Sequence, residues 1–412
     1  MKNSAQLSFC LIATISIGTA LAQTSTAQTS ESTAAAASPV AYVYVQTSQG
    51  TVLYDASSSG KLTLVAGSPF NTSGYYIGSN GKYFITAGIH DLHTYKVAAN
   101  GGLGGQTSQF DTQSYGGSQC GLTSGAVLDH SGQDVYVSLK GAPADDGNNL
   151  CDALQTDSLS SSSGMFTFKG DLLVDEDSKN TGSDTLPVLL GNSKFAYSLE
   201  GIPDGCEHTI NIFARESSGA LEFAPGQNVT LPAGPSGGYY YYPLYPSNID
   251  ASLVPLQPSL ITDDPTDHLA IALYAEKDAP CGTTKTPQLA SFTADSKGNL
   301  TTKNTAEDMP SIAGSGINVM RLSPSGNLLA VATGTGVQIF HFNGSSPITK
   351  FTGVIGKSGF IRDLAWDKSN HLYAVNGVSG TLHVYTVTTT SAVEAAGSPY
   401  AVGGTHLAVV PM

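Results

Sequence analysis

Short runs of aliphatic and aromatic residues recur along the whole chain, each bounded by Gly, Ser, Asn, Asp or Pro. This punctuation predicts strands joined by tight turns rather than long amphipathic helices. One four-residue pattern returns seven times: Thr51-Val-Leu-Tyr54, Leu92-His-Thr-Tyr95, Met165-Phe-Thr-Phe168, Ile210-Asn-Ile-Phe213, Leu289-Ala-Ser-Phe292, Val337-Gln-Ile-Phe340 and Leu382-His-Val-Tyr385. The fourth place is always Tyr or Phe although aromatics make up 8% of the chain, so chance is a poor explanation. Upstream of each copy lies a second strand-like run, at 41–45, 83–87, 135–139, 195–199, 269–273, 328–332 and 372–375. Six of these runs follow a turn signal such as Ser79-Asn-Gly-Lys82 or Ser323-Pro-Ser-Gly326, and a further short strand precedes each turn. A Gly turn and a weaker strand follow the aromatic copy, as in Gly219-Ala-Leu-Glu-Phe223.

Each unit thus reads as four antiparallel strands, and the chain as an all-β, seven-bladed β-propeller. The first unit lacks an innermost strand of its own. Gly404-Thr-His-Leu-Ala-Val-Val-Pro411 has that strand's pattern with nothing after it, so the C-terminal strand is expected to join the N-terminal blade and close the ring. Closure leaves no bare sheet edge at the join. A sandwich pair or a large barrel accounts neither for the grouping in fours nor for completion of the last group by the opposite terminus.

Composition refines this picture. The 412 residues include 46 Gly and 20 Pro, with a charged fraction of 12%. Residues 1–22 hold one basic residue, Lys2, then an apolar stretch ending in Ala20-Leu21-Ala22. This reads as a signal peptide cleaved after Ala22, followed by a flexible Ser, Thr and Ala-rich leader over 23–38 and the propeller over 39–412. No other run is long and apolar enough to span a membrane. A secreted or periplasmic protein is expected. The formal charge of −14 argues against nucleic acid and anionic lipid as partners, and no coiled-coil seam suggests anything but a monomer. Cys120, Cys151, Cys206 and Cys281 remain after cleavage, and in an oxidising compartment they imply two disulfides. The most local of the three connectivities pairs Cys120 with Cys151 and Cys206 with Cys281.

The connections between second and third strands and between blades emerge on one face, and there the loops are long. Elaborated loops on a rigid scaffold commonly carry function. The 225–258 connection contains Gly237-Gly-Tyr-Tyr-Tyr-Tyr-Pro-Leu-Tyr245. Tyr239, Tyr240, Tyr241, Tyr242 and Tyr245 suit stacking on sugars or flat rings, or packing of the loop onto the blades. Glu207 and His208 lie on another such loop. Asn318, Arg362, Asp363 and His406 begin innermost strands at the channel mouth, where Arg, carboxylate and imidazole can bind an anion and move a proton or satisfy one another. The acids of the 200–208 and 145–149 loops match no calcium-loop spacing, and no phosphate loop, nucleophile elbow or paired-histidine motif occurs. Neither a metal nor a cofactor is expected, and the lone Trp366 reads as blade packing.

The blade cadence of Leu322-Ser-Pro-Ser-Gly-Asn-Leu-Leu-Ala330, followed by Val337-Gln-Ile-Phe340, and the repeated tail in Ala66-Gly-Ser-Pro69 and Ala396-Gly-Ser-Pro399 resemble the lactonase-like seven-bladed propellers. That group includes 6-phosphogluconolactonase and surface propellers with Tyr-Val-Thr-Asn-type repeats, and the resemblance spans nearly all of the mature chain. Lactonases of the group carry a Gly-Pro-Arg-His element opening an innermost strand. Here Gly403-Gly-Thr-His406 keeps the His and has Thr405 in place of the Arg, which removes the anion clamp the resemblance implies, unless Arg362 replaces it. Two functions follow as expectations: a noncatalytic binding module for a small molecule, carbohydrate, peptide or protein on the loop face, or a lactone hydrolase with His406 as base and Arg362 orienting the substrate.

Overall fold

The structure, a computed structural model, describes residues 38–75, 78–112, 120–141, 152–175, 183–191, 194–201, 208–226, 228–244, 260–277, 283–284, 286–314, 316–356 and 359–412. Its described strands form seven antiparallel sheets arranged in a ring, with no helix among the described residues. The chain is a seven-bladed β-propeller.

Closure takes the form the chain ends suggest. In the first blade the order from the axis outward is Gly404–Pro411, Ala41–Thr47, Gly50–Ala56 and Leu62–Leu64. The terminal strand pairs antiparallel with the N-terminal one over Ala41↔Pro411 to Gln46↔His406, and a register shift follows Gln46. The first and last described strands are therefore held together by backbone hydrogen bonds, and the Ala41–Thr47 edge is covered.

The sixth blade runs Ile317–Leu322, Leu328–Thr333, Gly336–Asn343 and Ser346–Lys350, and the seventh Ile361–Trp366, His371–Asn376, Thr381–Val387 and Ala392–Glu394. Two blades have a divided innermost strand. In the fourth, Ser183–Asp184 and Val188–Leu189 both pair with Phe195–Gly201. In the fifth, Tyr239–Pro243 and Ile261–Asp263 pair with successive parts of His268–Lys277.

Two details correct the sequence reading. The tyrosine run is not loop: Tyr239–Pro243 is the upper half of the fifth blade's innermost strand. In the third blade the third strand is Asp152–Leu159, and Phe166–Asp175 is the outer strand, so Phe168 of the third aromatic copy sits one strand further out than its six counterparts. The misleading feature is polarity. Asp152–Leu159 buries Gln155 and Asp157, which bond each other at 2.7 Å, so a core strand carries a loop-like sequence.

Every gap between neighbouring blades is filled by buried aliphatic and aromatic side chains. Tyr44, Phe84 and Tyr95 pack between the first and second blades, Ile85, Val137 and Leu159 between the second and third, and Val43, Tyr373 and Leu407 between the seventh and first. Trp366 lies in the core shared by the sixth and seventh blades and donates its indole N–H to the Arg321 carbonyl at 3.1 Å.

A recurrent bond locks each of the first four blades onto the next. Tyr44 donates its hydroxyl to the Gly101 carbonyl, Tyr136 to Gly219 and Tyr197 to Gly298, at 2.8, 3.0 and 2.9 Å, and Thr94 does the same to Gly164 at 2.8 Å. These glycines end the turn before the outer strand. Gly101 and Gly298 have φ of 76° and 88°, and a Cβ there would lie 2.7 Å from the Tyr42 ring and 2.6 Å from the Phe195 ring. Only glycine meets both the left-handed backbone and the close approach of the preceding blade's aromatic.

Candidate functional site

Innermost strands start at the loop face, and this places the sequence-nominated polar residues around the channel mouth. Asp363 is buried. Its Oδ1 accepts the Leu364 N–H at 2.8 Å, and its Oδ2 accepts the Leu407 N–H of the adjoining first blade at 2.9 Å. Arg321 of the sixth blade stands 3.9 Å from Oδ1. Burial pushes the Asp363 carboxyl up, against the opposing pull of Arg321 and of the two N–H donors. The residue thereby ties three successive blades together beside the closure strand. Asn318 plays a related part, donating from Nδ2 to the Ile361 carbonyl at 2.8 Å and so linking the innermost strands of blades six and seven.

His406 is buried beside these strands. Its Nδ1 meets the Thr405 hydroxyl at 3.0 Å, and Nε2 is buried with no hydrogen-bond partner. Burial first, and the positive charge of Arg362 second, push its pKa down to about 3. At neutral pH the imidazole is uncharged, and it is a weak base far from the pH at which proton transfer is efficient. Arg362 packs over Gly377, where a Cβ would come within 3.0 Å of its own. The mouth thus brings His406, Arg362 and Asp363 onto neighbouring strands, while both Asp363 oxygens are turned to backbone donors.

The tyrosine run is split by strand alternation. Tyr241 is buried and donates to Gln288 Oε1 at 2.7 Å. Tyr240 is 63% exposed, Tyr239 is half-buried, and Tyr242 is half-buried with its ring 5.9 Å from that of Tyr274. Tyr274 in turn meets His208 edge-on at 6.0 Å. Tyr245, Glu207, Cys151, Cys206 and Cys281 lie outside the described residues. Of Cys120 the backbone is described, paired with Gly141 at the start of the third blade's inner strand.

Tyr242 and His208 belong to one cleft. It opens between the third and fourth strands of blade four, Thr209–Arg215 and Leu221–Phe223, and the upper inner strand of blade five. Its volume is about 470 Å³. Phe223 and Tyr242 supply ring faces, Ile212, Val229 and Leu231 an aliphatic lining, and His208 and Asn211 polar edges. Burial lowers the pKa of His208 despite the nearby Glu276 carboxylate, so this imidazole is neutral at physiological pH. A concave, mainly apolar hollow with a few polar groups is the usual form of a small-molecule site.

No family model matches the chain, and no curated protein does. Solved structures share its architecture. A protein from Lactobacillus plantarum superposes with a TM-score of 0.56 at 13% identity, covering 90% of this chain and 99% of its own. A protein from Bacteroides uniformis, assigned provisionally as a 6-phosphogluconolactonase, gives 0.55 at 13% identity with the same coverage. The chain shares its fold with these two proteins. At this identity the likeness speaks for the fold alone.

The structure also assembles groups that sequence reasoning passed over. Phe223, Val229 and Leu231 carry no signal of their own; they line a cleft only because blades four and five abut. On blade seven, Ser379, Thr381, His383 and Glu394 form a hydrogen-bonded chain: Ser379 to Thr381 at 2.7 Å, Thr381 to His383 Nε2 at 3.4 Å, and His383 Nδ1 to Glu394 at 2.8 Å. The alternation Ser379-x-Thr381-x-His383 was the available hint. Glu394 accepts from Ser398 as well, at 2.8 Å, so the chain binds the third strand to the fourth and to the 396–399 tail.

Proposed function

We propose that this chain is a secreted, noncatalytic binding module whose ligand is a small molecule seated in the cleft between blades four and five. The observation that carries this reading is the contrast between two places on the molecule. The cleft is a hollow of small-ligand size lined by Phe223, Tyr242, Ile212 and His208. At the channel mouth, Asp363 is committed to two backbone donors of the ring closure. The apolar run over residues 7–21 and the Ala20-Leu21-Ala22 site support export.

The test is a ligand screen, glycans included, followed by titration of any hit against Tyr242→Ala. Loss of a partly buried aromatic wall is expected to weaken binding roughly tenfold or more; an unchanged affinity removes the cleft as the site.

Lactone hydrolysis is the second reading. Its support is the nearness of Arg362 to His406, close enough for its charge to act on the imidazole, together with a fold shared with a provisionally assigned 6-phosphogluconolactonase. Turnover of a panel of simple lactones that disappears in His406→Ala supports hydrolysis; equal rates in both proteins remove it.

A further inference from the structure

We infer that Asn343–Gly344, at the turn between the third and outer strands of blade six, is a modification site: the place where the folded chain undergoes spontaneous deamidation, loosening the joint to blade five. The chemistry needs only water and the chain itself. The Gly344 backbone nitrogen, its proton lost to hydroxide, attacks Asn343 Cγ. A bond forms between that nitrogen and Cγ, the Cγ–Nδ2 bond breaks, and Nδ2 leaves as ammonia with a proton taken from water. Water then opens the succinimide at either carbonyl. The products are aspartate and isoaspartate, the latter with the main chain routed through the former side chain. Glycine as the following residue favours the attack, because no Cβ stands in the way.

The sequence contains four Asn–Gly pairs, and the fold restrains them unequally. Asn80 accepts the Lys82 and Tyr83 N–H groups at 3.1 and 2.9 Å and donates to the Gly132 carbonyl of blade three at 3.0 Å, while the Gly81 N–H is given to Ser79 Oγ at 3.1 Å. Asn376 is buried and accepts from Val378 and Ser379 at 2.9 Å each, and the Gly377 N–H is given to the Phe360 carbonyl at 3.1 Å. Asn100 is exposed. The nitrogen that would attack it belongs to Gly101, which donates to the Ala98 carbonyl at 2.9 Å and is wedged against the Tyr42 ring.

Asn343 is the least held of the four. It is exposed, and its one side-chain hydrogen bond runs from Nδ2 to the Pro347 carbonyl at 3.2 Å. The Gly344 N–H donates to no described residue. Each hydrogen bond that must break before the attack slows it by roughly a factor of five, so the three at Asn80 outweigh the one at Asn343.

The same turn is where blade five meets blade six. Ser291, on the blade-five strand Gln288–Ala294, donates to the Ser346 carbonyl at 2.9 Å. A Cβ on Gly344 would lie 3.4 Å from the His268 ring. Only Gly344 and Ser345 separate the two strands of this hairpin. Isoaspartate lengthens the main chain at its edge by a methylene, which shifts the Ser346 carbonyl away from Ser291.

Peptide mapping by mass spectrometry of the full chain, incubated at pH 8 both folded and in urea, follows each asparagine. In urea the four pairs are expected to convert at comparable rates, since each precedes glycine. In the folded protein Asn343 is expected to convert roughly tenfold or more faster than Asn80 and Asn376, and ahead of Asn100. Equal protection of all four, or earlier conversion of another, overturns the inference. The joint is read by hydrogen exchange: aged protein is expected to exchange faster over Ser346–Lys350 than fresh protein. Asn343→Asp, with the charge but not the added methylene, is expected to behave as fresh protein does. Unchanged exchange after ageing, or equally fast exchange in Asn343→Asp, overturns the proposed effect of the lengthened main chain. Asn343→Gln, whose longer side chain closes its ring slowly, is expected to resist ageing; an ageing effect that persists there belongs to another site and overturns the assignment.

Discussion

His130, on the turn between the inner two strands of the third blade, reaches across to Asp263 at 2.9 Å and to the Leu189 carbonyl at 2.8 Å. The Asp263 carboxylate, accepting from the imidazole, outweighs the opposing effect of burial and raises the His130 pKa to about 9. A histidine held above its ordinary value stabilises the fold fully below about pH 6.5 and loses that contribution as pH rises through about 9. Thermal melts from pH 7 to 10 should show this decline, and in His130→Gln it should be flattened. Asp157 has the same sign in a lower pH window. Burial raises its carboxyl to about 6, with Gln155 as the one opposing partner, and Oδ1 is buried without a hydrogen bond. The folded state holds this proton more tightly than the unfolded chain does, so stability grows as pH falls from above 6 toward the ordinary carboxylate range. Asp157→Asn is expected to stabilise the protein by ~1–3 kcal/mol at pH 7 and to add little at pH 4, as read from urea denaturation at each pH.

At the scale of elements, the innermost strands are short, and their order depends on bonds between blades. Asp363→Ala leaves the Leu407 N–H without its acceptor and removes the neighbour of Arg321. A loss of about 2–4 kcal/mol is expected, with faster hydrogen exchange at Leu407 than in the strand Gly336–Asn343 of the adjacent blade. Uniform acceleration in both places would mean that Asp363 supports the whole fold rather than the join. Element identities were legible wherever burial and apolarity coincide: Leu328–Thr333 and His371–Asn376 are wholly buried, and their sequences read as strands. They were obscured where a strand solves its polarity internally, as Gln155 and Asp157 do, or where aromatic density imitates a sticky loop, as in Tyr239–Pro243. There the pairing with His268–Lys277 decides the conformation, and that partner is distant in sequence.

For the whole molecule, stability rests on a ring in which each blade covers the next. Removing residues 404–412 exposes the Ala41–Thr47 edge and strips the apolar cover from Val43 and Val45. The truncated protein is expected to lose its cooperative melt and to aggregate, which light scattering would register; a soluble monomer with an unchanged melt would show that closure is dispensable. By itself the sequence determined the blade count, the strand grouping and the joining of the two ends, because period-two burial and turn chemistry are local and repeat seven times. Tertiary structure alone decided where a hollow of small-ligand size forms and which polar residues are committed to holding the blades together. A cleft arises from the abutment of two blades, and whether a carboxylate such as Asp363 is free for chemistry depends on which backbone N–H groups reach it from strands far along the chain.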